Sequence, residues 1–239
     1  MTITQTARAG GGVDVEPGFV CAVVPAHNES GRIAATIAAL RMIEDVDEIV
    51  VVDDGSRDTT VGEAERAGAR VIRLGRNAGK GAALARGVAA TNAGILLLAD
   101  ADLRSSAANL RVVLRPVVAD EADLAIAAPP RDDGPSGFGL VEGLARWGIL
   151  RLGGRRMDRP LSGQRAVRRE VVDAARGFAR GFGVETAFTI DALRAGYRVI
   201  EVPCEITHAR TGRDPAGFLH RGKQGFDVAR ALASRAARR

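Results

Sequence analysis

The chain is poor in aromatic residues, cysteines and long apolar runs, and each shortage excludes a class of protein. Aromatic residues make up 4% of the 239 residues, too few for the exposed rings on which single-stranded nucleic acid stacks, so we expect no nucleic-acid partner. The two cysteines, Cys21 and Cys204, lie in apolar segments, and we expect buried free thiols in a cytoplasmic protein. No apolar run approaches the about 20 residues that a membrane-spanning helix needs.

The apolar residues that are present favour an α/β fold. Hydrophobic residues make up 46% of the chain, mostly as small and aliphatic side chains that suit helices packed on a buried parallel sheet. In the first half, apolar strands at 19–24, 48–52, 70–74 and 95–99 alternate with helical segments. Beyond this half we expect helices at 106–118, 140–152, 185–195 and 217–239, strands at 123–128 and 199–202, and a strand with a short helix within 164–174. The pattern predicts a doubly wound, mostly parallel sheet flanked by helices.

Two carboxylates follow the fourth apolar run. Asp100 and Asp102 come directly after Leu96–Ala99 with one small residue between them. If the backbone stays extended they point the same way, and two such charges repel unless a cation lies between them. This favours Mg²⁺ or Mn²⁺ at the carboxyl end of a strand, where open α/β sheets bind ligands. A strand simply capped by aspartates is the alternative that this motif leaves open.

Positive charge is concentrated in one stretch. Residues 146–170 contain eight arginines and two acidic residues, while the net charge of the whole chain is +5. Arginine is favoured where phosphate or carboxylate groups are recognised. A solvated helix face and a site for an anionic ligand both remain open.

Four loops at predicted strand ends carry residues that suit one kind of ligand. The loops are Pro25-Ala26-His27-Asn28-Glu29, Asp53-Asp54-Gly55-Ser56, Asn77-Ala78-Gly79-Lys80-Gly81 and Asp100-Ala101-Asp102. Carboxylates accept hydrogen bonds from ribose or a base, glycines let the backbone approach closely, and Lys80 carries a charge for phosphate. The order and spacing of the four resemble the family 2 glycosyltransferases, which have the GT-A fold.

The resemblance implies roles for individual residues. Lys80 would lie near the base or the diphosphate, Asp100 near the ribose or the metal, and Asp102 would ligate the metal. The expected nucleotide-sugar site consists of Pro25, Ala26, Asn28, Glu29, Asp54, Gly55, Ser56, Gly79, Lys80, Asp100 and Ala101.

The second half resembles prenyl-phosphate sugar transferases and glucosyl-3-phosphoglycerate synthases more loosely. The similar segments are Pro160–Ala166, Phe182–Thr186 and Glu201–Pro203 with Thr207–Arg210. They imply His208 as a further metal ligand beside Asp102 and Asp100, and Glu185 as a catalytic base or an acceptor-positioning group, with Asp102 and Lys80 as its catalytic partners. The expected acceptor-binding residues are Arg159, Ser162, Gly163, Gln164, Arg165, Gly183, Val184 and Glu185.

We therefore expect a flexible tail over 1–17 and one GT-A catalytic domain over 18–239. Its parts would be a nucleotide-sugar half (18–105), an acceptor half (106–216) and a basic C-terminal helix (217–239). The expected reaction moves a sugar from a nucleotide diphosphate sugar, such as UDP-glucose or GDP-mannose, to a phosphorylated acceptor such as 3-phosphoglycerate. Alternatives are a polyprenyl phosphate acceptor with peripheral membrane contact, a nucleotidyltransferase, and a non-catalytic nucleotide-sugar-binding protein. The resemblance also implies a homodimer.

Overall fold

A computed structural model describes residues 14–130, 139–175, 178, 183–207 and 215–237. Its centre is one seven-stranded sheet with the strand order β3-β2-β1-β4-β6-β5-β7. The strands are β1 (Glu16–Ala26), β2 (Glu48–Asp53), β3 (Arg70–Arg73), β4 (Ala93–Leu98), β5 (Leu124–Ala128), β6 (Arg165–Arg168) and β7 (Val199–Pro203). Both halves of the chain contribute strands to this sheet, and the predicted mostly parallel α/β fold is confirmed.

The helices cover both faces of the sheet. They are α1 (Ile33–Leu40), α2 (Thr60–Arg66), α3 (Lys80–Val88), α4 (Arg111–Val118), α5 (Gly139–Gly153), α6 (Arg169–Ala174), α7 (Val184–Arg194) and α8 (Pro215–Ala236). Strand β1 explains the two layers: Val20 and Val24 pack into a core with Ile33 and Ile37 of α1. Cys21 and Val23, which alternate with them, pack into a second core on the other face. Because β1 is buried on both faces, it reads as a continuous apolar run.

The first strand is longer than predicted at both ends. It begins at Glu16, inside the segment assigned to the tail, and it passes through Pro25, which was expected to stop it. The Val23 carbonyl accepts from the Ala99 amide on the β4 side, and the Ala26 carbonyl accepts from the Asp54 amide on the β2 side. By alternation the Pro25 nitrogen faces the β4 side, where β4 has already ended, so no strand needs its missing N–H.

The predicted helix over 106–118 is α-helical only in its second part. Residues Arg104–Leu110 form a 3-10 helix, and α4 follows at Arg111. The Ser106 amide and hydroxyl both donate to the Leu103 carbonyl, at 3.2 and 2.7 Å. This local side-chain bond, together with the i→i+3 amide bond, competes with the α-helical pattern in the first turn.

One antiparallel strand brings the second half of the chain to the first. β6 runs antiparallel to β4, with Arg165 opposite Leu98. The amino end of β6 therefore lies at the same sheet edge as the carboxyl ends of the parallel strands, and the loop 160–164 lies beside the loop that follows β4.

The structure also shows the state of the two cysteines and the character of the helices. Cys21 and Cys204 are buried free cysteines, as predicted. None of the helices within the described ranges is long and apolar enough to cross a membrane.

Candidate functional site

The loops after β2 and β3 are joined by the carboxylate of Asp54. Its Oδ1 accepts from the Ala78 amide at 2.6 Å, and its Oδ2 accepts from the Gly79 amide at 2.8 Å. Asp54 is 4% exposed. These contacts make Asp54 a positioning residue for the loop that enters α3; its predicted contact with the nucleotide stays a prediction.

Gly55 allows the same two loops to touch. Its φ is +78°, a conformation that L side chains rarely adopt. A Cβ at this position would lie 2.9 Å from the backbone nitrogen of Asn77. The Asp-Asp-Gly-Ser motif therefore needs glycine both for its backbone conformation and for the close approach of its neighbour.

The loop after β1 is held by hydrogen bonds to the loop after β2. The Asn28 amide donates to Ser56 Oγ at 2.9 Å, and Asn28 Oδ1 accepts from the Arg57 amide at 2.9 Å. Asn28 itself has a φ of +55°, which asparagine tolerates better than most residues. Asn28 and Ser56 thus shape this edge of the sheet, next to the predicted nucleotide-site residues Pro25 and Ala26. Ala26 is buried.

Lys80, at the start of α3, connects the first half of the site to the second. Its Nζ lies 2.7 Å from Asp100 Oδ1 and 3.2 Å from Glu185 Oε1, in the first turn of α7. Burial by itself lowers the pKa of the Lys80 ammonium, but the two carboxylates outweigh burial and hold it well above its usual value. Three predicted catalytic or metal-site residues, far apart in the chain, therefore form one ionic cluster.

Gly163 and Gln164 pack directly on this cluster. A Cβ on Gly163 would lie 2.4 Å from Lys80 Nζ, 3.4 Å from Glu185 Oε1 and 3.5 Å from Asp100 Oδ2. Gln164, which is 1% exposed, donates from Nε2 to Asp100 Oδ2 at 2.6 Å. Its Oε1 accepts from Ser162 Oγ at 3.3 Å. The segment predicted to bind the acceptor thus holds the first aspartate of the Asp-Ala-Asp motif.

The two aspartates lie in a turn beyond the end of β4, not on the strand itself. Leu98 ends β4. Ala101 and Leu103 are buried, and Asp102 between them is half-buried. The extended backbone that would point Asp100 and Asp102 the same way therefore does not continue to Asp102. The Ala101 carbonyl accepts a hydrogen bond from the Thr36 hydroxyl.

Negative charge gathers around this turn. The pKa of the Glu29 carboxyl is raised by burial and further by the charges of Asp102 and Asp100, against the lowering effect of Arg32. A concentration of carboxylates that raises a neighbouring pKa suits a hard divalent cation, which takes one or two carboxylates together with phosphate oxygens and water. No group of three or more His, Cys, Asp or Glu residues in the described part of the chain could hold a metal. His208, the predicted further ligand, lies outside the described residues.

The arginine-rich stretch does not form one anion site. Arg165 is 2% exposed; its Nε donates to the Ser162 carbonyl at 2.9 Å, and its guanidinium also donates to Thr189 Oγ1 at 2.9 Å. Burial lowers the pKa of this guanidinium to about 10. Arg165 therefore ties the loop before β6 to α7, and its predicted contact with the acceptor stays a prediction.

Other arginines of the stretch are engaged elsewhere. Arg146 and Arg159 share the Glu142 carboxylate, at 2.7 and 3.6 Å. Arg168 pairs with Asp120 at 3.0 Å. Arg169 donates to the backbone carbonyls of Val88, Thr91 and Ala93. The exposed members are Arg151, Arg155 and Arg156, so folding disperses a charge that the sequence concentrates.

Gly183 caps α7, and Val184 is the first residue of this helix, directly before Glu185. A Cβ on Gly183 would lie 2.6 Å from the Asp227 carbonyl oxygen of α8, and Val184 is 3% exposed. Gly183 and Val184 therefore pack the start of α7 against neighbouring parts of the fold and so help to hold Glu185 in place. Their predicted contact with the acceptor stays a prediction.

Sequence reasoning missed Thr36. Its side chain is fully buried in α1 and bonds the turn that carries Asp102. The available signal was a hydroxyl residue on the apolar stripe of a helix, next to Ile33 and Ile37, where a buried polar group needs a partner.

A mostly parallel sheet with these four loops at its carboxyl edge, completed by an antiparallel strand from the second half, is the GT-A architecture of glycosyltransferases. The model of the family described as "Glycosyl transferase family 2" matches residues 21–173. The chain belongs to this family of glycosyltransferases.

Two relatives illustrate the similarity in sequence. An uncharacterized protein of Methanocaldococcus jannaschii is 31% identical over 191 residues, which cover 76% of this chain and 78% of that protein. The glucosyl-3-phosphoglycerate synthase of Mycobacterium tuberculosis is 29% identical over 219 residues, covering 79% of this chain and 63% of the synthase. The chain thus spans less than two thirds of the length of this synthase.

Crystal structures of that synthase are similar to this chain in fold. The complex with Mg²⁺ and UDP has a TM-score of 0.76 at 29% identity, covering 91% of this chain and 79% of the synthase chain. The complex with Mn²⁺, UDP-glucose and phosphoglyceric acid has a TM-score of 0.75 at 29% identity, covering 92% and 80%.

Proposed function

We propose that the protein transfers a sugar, in a metal-dependent reaction, from a nucleotide diphosphate sugar of the UDP-glucose type to a phosphorylated acceptor such as 3-phosphoglycerate. The observation that carries the proposal is the cluster of Lys80, Asp100 and Glu185 beside Asp102. It joins the expected nucleotide half to the expected acceptor half at one point. The ligands named for the mycobacterial synthase support the substrate class.

The residues present fit a divalent cation. Asp102 and Asp100 offer hard oxygen donors after β4, with His208 as the predicted third ligand. Burial raises the pKa of the Glu29 carboxyl, and the charges of Asp102 and Asp100 raise it further. Mg²⁺ or Mn²⁺ bound here would neutralise charge on the departing diphosphate. Lys80 and Gln164 engage the two carboxylate oxygens of Asp100, which fixes the orientation of this side chain.

Lys80 supplies fixed positive charge at the boundary between donor and acceptor. Its ammonium stays protonated because Asp100 and Glu185 flank it. In a partly enclosed site such a charge stabilises a phosphate or a leaving diphosphate without reorganisation during the reaction. We infer this role of Lys80 from its positive charge and from its direct contact with Asp100.

Glu185 orients the acceptor or accepts its proton. The side chain is 12% exposed and lies 3.2 Å from Lys80 Nζ, on the second residue of α7. In an inverting transfer to a hydroxyl acceptor, Glu185 is the candidate base; an ionised phosphate acceptor needs no base and would leave it a positioning role. Both routes hold the acceptor oxygen near the anomeric carbon.

The acceptor is tested by a panel of substrates. UDP-glucose and GDP-mannose are each offered with 3-phosphoglycerate, with glycerol and with a short polyprenyl phosphate in detergent, with and without Mn²⁺, and nucleoside diphosphate release is measured. We expect Mn²⁺-dependent release with 3-phosphoglycerate and none above background with glycerol. Release that requires the polyprenyl phosphate would overturn the small-acid acceptor and favour peripheral membrane contact, in which case flotation with anionic vesicles follows.

Glu185→Gln is the matched variant for this assay, because it keeps the size of the side chain and removes its charge. Release by this variant should fall with 3-phosphoglycerate, which would react through its hydroxyl group, if Glu185 is the base. We propose a cytoplasmic protein; the homodimer, the domain limits and the absence of a nucleic-acid partner stay predictions.

A further inference from the structure

Thr36 joins helix α1 to the turn that carries Asp102. The Thr36 side chain is 0% exposed. Its hydroxyl donates to the Ala101 carbonyl at 2.8 Å and accepts from the Arg104 amide at 2.8 Å. The two bonds bracket Asp102, so one side chain fixes the backbone on both sides of this carboxylate.

Apolar packing restrains the same turn. Ala101 and Leu103 anchor it by packing into the core that contains Ile33 and Ile37 of α1. Apolar packing holds these side chains inward but leaves the twist of the backbone less defined than directional bonds do. Arg104 has a φ of +51°, which is unfavourable for a residue with a side chain and persists only where the surroundings impose it. The bond from its amide to Thr36 is one such restraint.

Helix α1 also connects this turn to the loop after β1. The Arg32 and Ile33 amides donate to the Glu29 carbonyl, at 3.1 and 3.0 Å, where α1 begins. A helix fixed at Glu29 by its first turn and at Ala101 by Thr36 therefore sets the distance between the first and fourth loops of the site.

We propose that Thr36 is a positioning residue that holds Asp102 in the orientation needed to bind a divalent cation. The inference deepens the proposed function and rests on it. The competing explanation is the common bond of a helical threonine to the carbonyl four residues earlier. Here the distance to the Arg32 carbonyl is 3.3 Å, longer than the 2.8 Å to Ala101, so the hydroxyl proton is directed to the turn.

The test is Mn²⁺ affinity, measured by the electron paramagnetic resonance signal of free Mn²⁺ during titration of the full chain with UDP present. Thr36→Val keeps the shape of the side chain and removes both bonds, and Thr36→Ser keeps the hydroxyl. Loss of a group that orients a metal ligand typically costs 10- to 100-fold in affinity. We expect at least about a ten-fold loss for Thr36→Val and less than about a three-fold loss for Thr36→Ser.

Thr91→Val is the matched control. Thr91 is also buried, and its hydroxyl accepts from the Ala93 amide at 3.2 Å at the opposite end of β4. It should lose stability as Thr36→Val does but keep the wild-type Mn²⁺ affinity. If Thr36→Val and wild type bind Mn²⁺ equally, or if Thr91→Val loses as much affinity, the inference is wrong while the proposed function stands. A wild-type chain that binds no Mn²⁺ with UDP or GDP would overturn both.

A second measurement covers the case in which Thr36→Val does not fold. Hydrogen exchange of the Arg104 amide in the wild-type chain should be slow, because the amide donates a hydrogen bond to the fully buried hydroxyl oxygen of Thr36. Exchange at the rate of an exposed loop amide would overturn the inference without any variant.

Discussion

Replacing Gly163 by alanine should damage the site while leaving the fold nearly intact. The added Cβ would meet Lys80 Nζ at 2.4 Å, whereas ordinary contact begins at 3.4 Å, so the ammonium must retreat by about 1 Å. The clash is with the far end of a flexible side chain, and Gly163 does not have a positive φ. We therefore expect the free energy of unfolding to change by less than about 1 kcal/mol, since the reduced backbone freedom of the unfolded chain partly offsets the clash.

The effect on activity follows from the ion pairs of Lys80. Its distance to Glu185 would grow from 3.2 Å to about 4.2 Å, which weakens the attraction by about 1 kcal/mol at an effective dielectric constant of about 20. That energy alone corresponds to about a five-fold fall in kcat/KM. Misplacement of a catalytic group by about 1 Å can cost about 100-fold, so we expect a fall between these limits.

The assay is kcat/KM for nucleoside diphosphate release, together with urea unfolding. Gly143→Ala is the control: Gly143 lies in α5 with nothing within 4 Å of an added Cβ. It should gain about 0.5 to 1 kcal/mol of stability from the better helix propensity and keep its activity. An unchanged kcat/KM in Gly163→Ala would show that the position of Lys80 does not limit activity, and a loss of stability of several kcal/mol would show that the clash is not confined to a flexible side chain.

Two further predictions concern the loop contacts and an ion pair at the other edge of the sheet. Gly55→Ala should cost about 2 kcal/mol or more in urea unfolding, because it combines a positive φ with a backbone clash at Asn77; Gly196→Ala, with a φ of +84° and open space, should cost less, and equal costs would contradict the clash. The pKa of the Asp123 carboxyl is lowered chiefly by its hydrogen bond from Arg198, so its contribution to stability is present above the unfolded pKa of about 3.9 and is lost as the pH falls through the lower folded pKa. Asp123→Asn should therefore be less stable than wild type at pH 7, and the difference should shrink toward pH 2; a difference that does not depend on pH would contradict the ion pair.

Periodicity and loop spacing were enough to predict the sheet and the meeting of the four loops. A run such as Leu96–Leu98, buried on both faces, is typical of a central strand, and parallel strands bring their carboxyl ends to one edge. The antiparallel direction of β6 was not predicted, because four residues of alternating character carry no sign of direction. That direction is what brings Gly163 and Gln164 to Asp100.

Charge in the sequence was a poorer guide than motif. Arg165 is predicted to bind the acceptor, and folding buries its guanidinium against the Ser162 carbonyl and the Thr189 hydroxyl. A guanidinium has five donors, which suit a structural strut as well as a phosphate, and sequence alone does not distinguish these uses. Thr36 is a case that charge and motif both leave unmarked. It is a single hydroxyl among apolar helix residues, and no motif reveals which groups it bonds.

We propose that the turn carrying Asp102 binds a nucleoside diphosphate through a divalent cation. Isothermal titration of UDP into the chain, with and without Mn²⁺, tests it most directly when wild type and Asp102→Asn are compared and thermal unfolding confirms that both are folded. We expect Mn²⁺ to strengthen UDP binding to the wild type by at least about ten-fold, and we expect Asp102→Asn to lose this gain. Equal UDP affinity with and without Mn²⁺, or an undiminished gain in Asp102→Asn, would contradict it.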